Sequence, residues 1–540
     1  MTLVVEAGSR YDRQVRLWGD EGQASISLTT VCVLGSDSLA TEILKSLVLA
    51  GIKSFCIVDD ANVDESDIGQ NFFLHISDVG KSRAETTLEK LKELNPSVAG
   101  ECCTSSPADI CGKDVKKLSS FSVVVSSNQT EAVDMAYAQI LHPLGVPFLC
   151  VKTCGLLGTI KVCVQEHTIV NTREENPKPD LRLDAPFEEL ARFVDETNLD
   201  NMNVETLRHT PYILLLFKAL EIFRKKRGNP CAFPSSYQEK KEIQQTLLTF
   251  RRSSDESGSK DSENIDEARN AVTRCFQKTT IPHSVRRILD DPACRTSKEP
   301  FWLICEALRR FTEFNNGLLP VRGELPDMTS DSARYTRLAT IFHEKAISDA
   351  KTVLEFLREV ERERGVGDLI SEEMCYRFCK NADRISLQRG NPLDYQQEIK
   401  NLVEIIKSSP KPEGEESGKV DCTIWLLLFR ALDRFNTEKG RYPGTNGVPC
   451  TIDAFDLKQR VESILKTAKI EDAEKISALI PQDAIGEICR FGAAELHVIS
   501  SLIGGVTAQE VIKLATNQFV PLDNTFVFDG HTQHSSIFSL

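Results

Sequence analysis

The feature that most constrains this chain is a strand, turn, helix and strand run near its amino terminus. Val31 to Leu34 is a short apolar run ending at Gly35, Leu39 to Leu49 repeats its apolar residues at helical spacing, and Phe55 to Val58 is a second run ending at Asp59 and Asp60. That is one βαβ unit, which commits its strands to a parallel sheet with a helix on its face. Ser122 to Val125, Val146 to Val151 and Thr159 to Val164 read as further strands, so residues 1–165 are expected to form the first part of an α/β domain.

From 166 to 480 the texture changes to long segments rich in Glu, Lys, Leu and Arg, the pattern of a large, mostly helical insertion. Ser253 to Asp266 and Ser408 to Lys419 have almost no apolar residues and read as linkers. An apolar run, then Ala-Leu, then Phe and a following Gly and Pro, recurs from Ile213, from Trp302 and from Trp425. Each copy reads as a core helix stopped by a glycine cap and a proline. Residues 481–540 bring an apolar helix with a Gly504-Gly505 pair, where small side chains permit close packing. Two strands flanking a turn at Leu522 to Asn524 then complete the sheet. The fold class expected is α/β, a Rossmann-like domain interrupted by helices.

Composition narrows the function. At 540 residues, 41% apolar and 27% charged, the chain has the make-up of a soluble protein of roughly three to four domains. Its longest apolar runs, Ile213 to Phe217 and Ile424 to Phe429, stop far short of the ~20 residues that cross a bilayer, so no membrane span is expected. The formal charge of −14 disfavours nucleic acid, which is bound largely through basic groups, and favours protein partners. Seventeen cysteines without a CxxC pair argue against a four-thiolate zinc site, and no metal is expected on this chain. The amino terminus lacks the basic start and apolar stretch of a secretory signal, so a cytoplasmic and nuclear location is expected. The RKKR run at Arg224 to Arg227 reads either as a nuclear address or as cations suited to the end of a helix, and the second reading needs nothing further.

The turn after the first strand is where an α/β protein binds nucleotide phosphates. Here it runs Gly35-Ser36-Asp37-Ser38-Leu39-Ala40, and on a GxGxxG pattern only the first glycine is present, with Asp37 and Ala40 at the other two places. Two unit charges ~4 Å apart repel by ~4 kcal/mol at an effective dielectric of about 20, so Asp37 makes this a poor phosphate loop. Asp59 stands where a ribose-binding acid would, but without the glycines a nicotinamide site is not expected.

Residues Arg10 to Gly19 (RYDRQVRLWG), Gln23 and the strand-turn-helix after them resemble the start of the adenylation domain in ubiquitin-activating and ThiF/MoeB-like enzymes. NFFL at Asn71, GKSRAE at Gly80, LRLDAPFEEL at Leu181, LPVRGELPDM at Leu319, GRYPG at Gly440 and RFGAAELHVISSLIGGVTAQEVIKL at Arg490 narrow the match. Together these strings resemble the regulatory subunits of neddylation activating enzymes, the type called AXR in plants, from about residue 9 onward. The resemblance implies a pseudo-adenylation domain and a heterodimer with a catalytic subunit that itself holds ATP and magnesium. It also implies a Nedd/Rub-type ubiquitin-like modifier as the protein activated, upstream of cullin modification.

The active members of that family bind ATP with a GxGGxG turn, an Asn-Arg pair, a lysine and a magnesium-holding aspartate. In this chain Gly69 and Gln70 stand at the Asn-Arg pair, Arg83 at the lysine and Asn128 at the aspartate, so the resemblance implies that no cofactor is bound here. No cysteine sits in the family's nucleophile context, although Cys231 and Cys294 stay open. The second arginine of the RYxR segment reaches the opposite subunit's ATP in that family, which assigns the role to Arg13; pairing with Asp12 or Glu21 is the plainer alternative. The loop containing Leu319, Arg322, Gly323, Pro326 and Asp327, and the HTPY segment with His209 and Pro211, are expected to face the partner. Thr210-Pro211 also fits a helix cap followed by proline at the first helical position.

Overall fold

The structure, a computed structural model, describes residues 10–113, 115–172, 178–252, 262–408, 420–492 and 494–540. It divides into two compact units, Met1–Ile169 with Leu387–Leu540, and Val170–Ser386.

The first unit is built on the sheet that the βαβ signal requires. Its strands are β1 (Thr30–Leu34), β2 (Ser54–Val58), β3 (Ala99–Cys103), β4 (Val123–Ser127), β5 (Phe148–Cys154), β6 (Leu157–Cys163), β9 (Thr525–Asp529) and β10 (His534–Phe538), while β7 (Glu166–Ile169) and β8 (Ser386–Arg389) form a separate ribbon. The order is β10-β9-β6-β5-β4-β1-β2-β3. Strands β3, β2, β1, β4 and β5 run parallel, and β6, β9 and β10 extend the sheet antiparallel. Four helices matter for the site: α1 (Asp12–Leu28), α2 (Ser38–Ala50), α3 (Glu65–Gln70) and α4 (Arg83–Leu94).

Both faces of β1 are covered, which is why its sequence is apolar without alternation. Val31 and Val33 join the core beneath α2, while Cys32 and Leu34 join the core on the other face. The helix His497–Thr516 packs along α2, and Gly504 is where they come closest, since a Cβ there would stand 2.9 Å from the Glu42 Cβ. The expected close packing at the glycine pair is therefore made by Gly504, whereas Gly505 faces open space. Among the described residues this is the helix long and apolar enough to cross a membrane, and 56% of its apolar window is buried inside the unit.

Two boundaries differ from the sequence reading. The chain returns to the first unit at Leu387 rather than 481, so the helical insertion is shorter than expected. Helices Tyr395–Ser408, Cys422–Lys439, Cys450–Thr467 and Gln482–Phe491 share one core with Leu157 and Val527 of the sheet. They have the same composition as the insertion, and only the partner of their apolar faces separates them. The final hairpin also turns after Asp529 rather than at Leu522 to Asn524. Of the first polar stretch, Ser262 precedes a helix that Glu263 to Asp266 open, and 253–261 lie outside the described residues, as does most of the second stretch.

The second unit is helical, with Tyr212–Arg227, Pro300–Phe314 and the 33-residue Ser332–Arg364 as its longest elements. The three sequence echoes are all buried helices, but Gly228 and Gly440 cap theirs in the left-handed conformation, whereas Asn315 ends the middle copy. The RKKR run closes Tyr212–Arg227, with Arg224 bonded to the Ala232 carbonyl and Lys226 and Arg227 paired with Glu242.

Helix Cys422–Lys439 is fastened to the sheet by buried charge. Glu398 accepts from Arg430 at 2.6 Å and from Lys161 of β6 at 2.9 Å, Lys152 of β5 pairs with Asp433 and Asp134, and Arg430 lies 3.5 Å over the Tyr395 ring. Glu398→Ala strips the shared counter-charge from two buried cations, a loss of about 3 to 5 kcal/mol. Urea unfolding followed by circular dichroism should move to a clearly lower midpoint, and an unmoved midpoint would contradict the network's role.

Candidate functional site

Strand order reverses between β1 and β4, so the connections leaving these neighbours diverge and open a crevice at their carboxyl ends. Gly35 follows β1 and Asn128 follows β4, and α2 begins at Ser38 with its first amides unsatisfied by the helix itself. Those amides and the helix dipole are what a phosphate would use.

In this chain they are taken by carboxylates of the protein. Asp37 is the N-cap of α2, with Oδ1 accepting from the Ala40 amide at 2.7 Å and from Ser127 Oγ at 2.8 Å. Glu495, 457 positions along the chain, accepts from the Ser38 amide at 2.9 Å, and the Leu39 amide also bonds to it. Its second oxygen accepts from Asn128 Nδ2 at 3.2 Å. Glu495 donates its own amide to Gln70 Oε1 at 2.9 Å, and the Gln70 carbonyl accepts from Ser38 Oγ at 2.9 Å. The first three amides of α2 thus all end on Asp37 or Glu495. Gly35 has φ +101°, and a Cβ there would stand 3.1 Å from the Ser127 carbonyl, which accounts for the glycine that survives in this turn.

Burial, and then the facing carboxylate of Asp37, push Glu495 up to about 8. Asp37 is also raised by burial, against the pull of the Ala40 amide, Arg83 and Ser127. Arg83 donates to Asp59 at 2.8 Å and to Asp67 at 3.1 Å. Burial works against its charge, but the carboxylates of Asp59, Asp37 and Asp67 together hold the guanidinium above its ordinary value. Asp59 also accepts from Ser36 Oγ and from the Ala61 amide, so it braces the loop from below. Asn128 spends its Oδ1 on the Thr153 amide at 2.9 Å. The residues present do not fit a nucleotide with its metal: two carboxylates stand at the phosphate place, and the amide of Asn128 replaces an anionic ligand. Among the described residues no group of three or more His, Cys, Asp or Glu is placed to hold a metal ion.

The RYDRQ segment lies elsewhere on the same unit. Tyr11 Oη accepts from Asn95 Nδ2 at 2.9 Å, its ring closes against Gly51, and Gln23 donates to the Ala50 carbonyl at 3.0 Å. Trp18 meets Phe519 edge-on at 5.6 Å. These contacts pin α1, while Arg13 projects into solvent. Asp12 pairs with Arg16 at 2.9 Å, and among the described residues Arg13 has no hydrogen bond or ion pair, so the local pairing considered for it is not the one formed.

The sequence matches the model of the ThiF family over residues 11–540. It is 64% identical to a Caenorhabditis elegans protein described as a NEDD8-activating enzyme E1 regulatory subunit, over 99% of each chain. This chain belongs to the ThiF family, among its NEDD8-activating enzyme E1 regulatory subunits. Relatives with the same description in Danio rerio, at 36% identity over 98% of each chain, and in Arabidopsis thaliana, the AXR1 form at 31% over 99% of this chain and 97% of its own, extend the likeness to vertebrates and plants.

Within this family frame, the structure brings Gly35, Asp37, Ala40, Asp59, Gln70, Arg83 and Asn128 into one crevice. It does not bring the second-unit residues together as an exposed face. Leu319 is buried with its carbonyl accepting from Arg182, Arg322 pairs with Asp383 and the Lys178 carbonyl, and Gly323 lets its loop close on Ala346. Pro326 is half-buried, and His209 and Asp327 are exposed. Pro211 is itself the N-cap position of Tyr212–Arg227, and Thr210 Oγ turns back to the Thr206 carbonyl, so Thr210 is not that helix's cap. Cys294 is shut in against the Ile288 carbonyl, whereas Cys231 is exposed. Sequence reasoning missed Glu495. Its signal was an acid in an apolar segment, which says nothing of the helix end it reaches.

A Glu raised from 4.5 to about 8 contributes stability that is complete below pH 4.5 and lost as pH rises through about 8. Asp37, raised by burial, acts in the same direction, while Arg83 opposes both and Tyr442 faces them. Glu495→Gln should flatten the decline of melting temperature between pH 5 and 9 relative to the parent chain. Parallel curves would show that Glu495 does not titrate in this way.

Proposed function

We propose that this chain is the non-catalytic half of a heterodimeric activating enzyme for a NEDD8-type modifier, supporting adenylation and thioester formation in a catalytic partner that holds ATP and magnesium. The observation that carries the reading is the division of charge on the first unit. Carboxylates occupy the crevice where phosphate would bind, while a guanidinium, Arg13, stands exposed and unpaired among the described residues. A chain so arranged has charge to lend and no place to use it itself.

Arg13 acts in trans. Positioned by the docked Tyr11 and Trp18, it reaches the partner's nucleotide and stabilises the charge that develops as the modifier's carboxylate attacks the α-phosphate. An apolar strip on the same unit supports a large partner. Phe72 lies tilted against His497 with ring centroids 6.1 Å apart, and Val498 and Leu502 follow one turn apart on the helix His497–Thr516, with Phe72 and Val498 about three-quarters exposed (73% and 75%). Exposed apolar residues grouped in this way mark a surface that is normally covered. The reading carries a cytoplasmic and nuclear location with it, since the substrate pathway modifies cullins.

Arg13→Ala in the reconstituted heterodimer should slow adenylate formation by about 100-fold, the usual scale for one lost transition-state donor, while leaving assembly intact. Pyrophosphate exchange measures it, and an unchanged rate would remove the role from Arg13. Val498→Asp should weaken copurification of the two subunits, and full recovery of the complex would place the interface elsewhere.

A further inference from the structure

The loop before the helix His497–Thr516 does more than connect. Ala494 accepts from the Gly155 amide at 2.9 Å, Glu495 bridges to Gly155, and Glu495 then closes on α2 through its side chain and on Gln70 through its amide. A Cβ at Gly155 would collide with the Phe491 ring at 2.0 Å, so the loop is seated against the turn after β5 as well. The carboxylate at its tip makes the contacts that a phosphoryl group makes at a helix amino terminus: two successive backbone amides and one side-chain amide.

We propose that Glu495 is an intramolecular phosphate surrogate, a built-in plug that keeps the degenerate pocket shut against nucleotide and holds the loop that precedes His497 and Val498. On this account the pocket is inactive because it is occupied, and loss of the glycines is only half the cause. The amides, the dipole of the 13-residue α2 and the nearby Arg83 persist beneath the plug. The inference goes beyond the reading of the chain as a partner subunit, and it stands on this unit whether or not Arg13 is lent to anything.

The test is a titration of the full chain at pH 9, above the value of about 8 to which Glu495 is raised, with inorganic tripolyphosphate at low salt and without metal, read by calorimetry. The parent chain should give no saturable heat. Glu495→Ala frees the amides of Ser38 and Leu39, and combining it with Asp37→Ser removes the second carboxylate while keeping a capping hydroxyl. The double variant should bind at least about tenfold more tightly than the parent, the gain corresponding to one modest charge-assisted contact. Adding Arg83→Gln should abolish that gain. A folded double variant that binds no better than the parent overturns the proposal, as does a gain that survives Arg83→Gln, which would place the anion elsewhere. If the double variant does not fold, Glu495→Ala alone removes the plug and leaves the Asp37 cap of α2 in place. In that background an Arg83-dependent gain supports the plug and no gain refutes it. Amide exchange gives an independent reading: Ser38 should be protected in the parent and exchange at least tenfold faster in Glu495→Ala, and equal protection in both overturns the proposal.

Discussion

A parallel sheet whose strand order reverses must leave a crevice at the reversal, and a helix that starts there leaves unsatisfied amides pointing into it. Everything distinctive about this chain follows from how those amides are satisfied. In a nucleotide-binding protein a phosphate does it. Here Asp37 takes the Ala40 amide and Glu495 takes those of Ser38 and Leu39, with Ser127 and Asn128 tying the two carboxylates to the end of β4 and Gln70 of α3 accepting from the Glu495 amide. Leaving a buried amide unpaired costs roughly 1 to 3 kcal/mol, so a pocket that gives up its ligand has to find internal acceptors or lose stability. The replacement gives a rigid join between β1, β4, α3 and the segment leading into the helix His497–Thr516.

That join explains how the unit keeps the architecture of its family with carboxylates seated at the phosphate place. The sheet, α2 and the helix His497–Thr516 set the position of α1, and α1 sets Arg13. Further round the sheet, Glu398, Arg430, Lys161, Lys152, Asp134 and Asp433 fix the carboxyl-terminal helices to β5 and β6. Such buried networks are costly to form and specify geometry once fully paired. The unit behaves as a frame in which these buried charges are paired internally, while Arg13 faces solvent.

Much of this was legible in the sequence, for physical reasons that can be named. The βαβ unit was readable because β1 and β2 are buried on both faces and therefore run apolar without interruption, and because Gly35 and Asp37 mark a turn and a cap. That Asp37 sets a carboxylate at the head of α2 was readable from the turn Gly35 to Ala40. The plug was not, since Glu495 lies 457 positions from its donor and a single acid carries no signature of its contact. The end of the insertion was misread because helices Tyr395–Ser408 through Gln482–Phe491 have the composition of the insertion, and only a sheet face distinguishes them. The LPVRGELPDM loop looked like a surface for a partner, yet Arg322 finds Asp383 and Leu319 finds Arg182 within their own unit. Prolines and a glycine announce an extended segment without saying what covers it.

The central claim is that this chain contributes to nucleotide chemistry while binding no nucleotide itself. Equilibrium dialysis of labelled ATP with magnesium tests it most directly, first against the isolated chain and then against the heterodimer with its catalytic partner. The account predicts no saturable binding to the isolated chain and one ATP per heterodimer. Saturable binding to the isolated chain, or two ATP molecules per heterodimer, would contradict it.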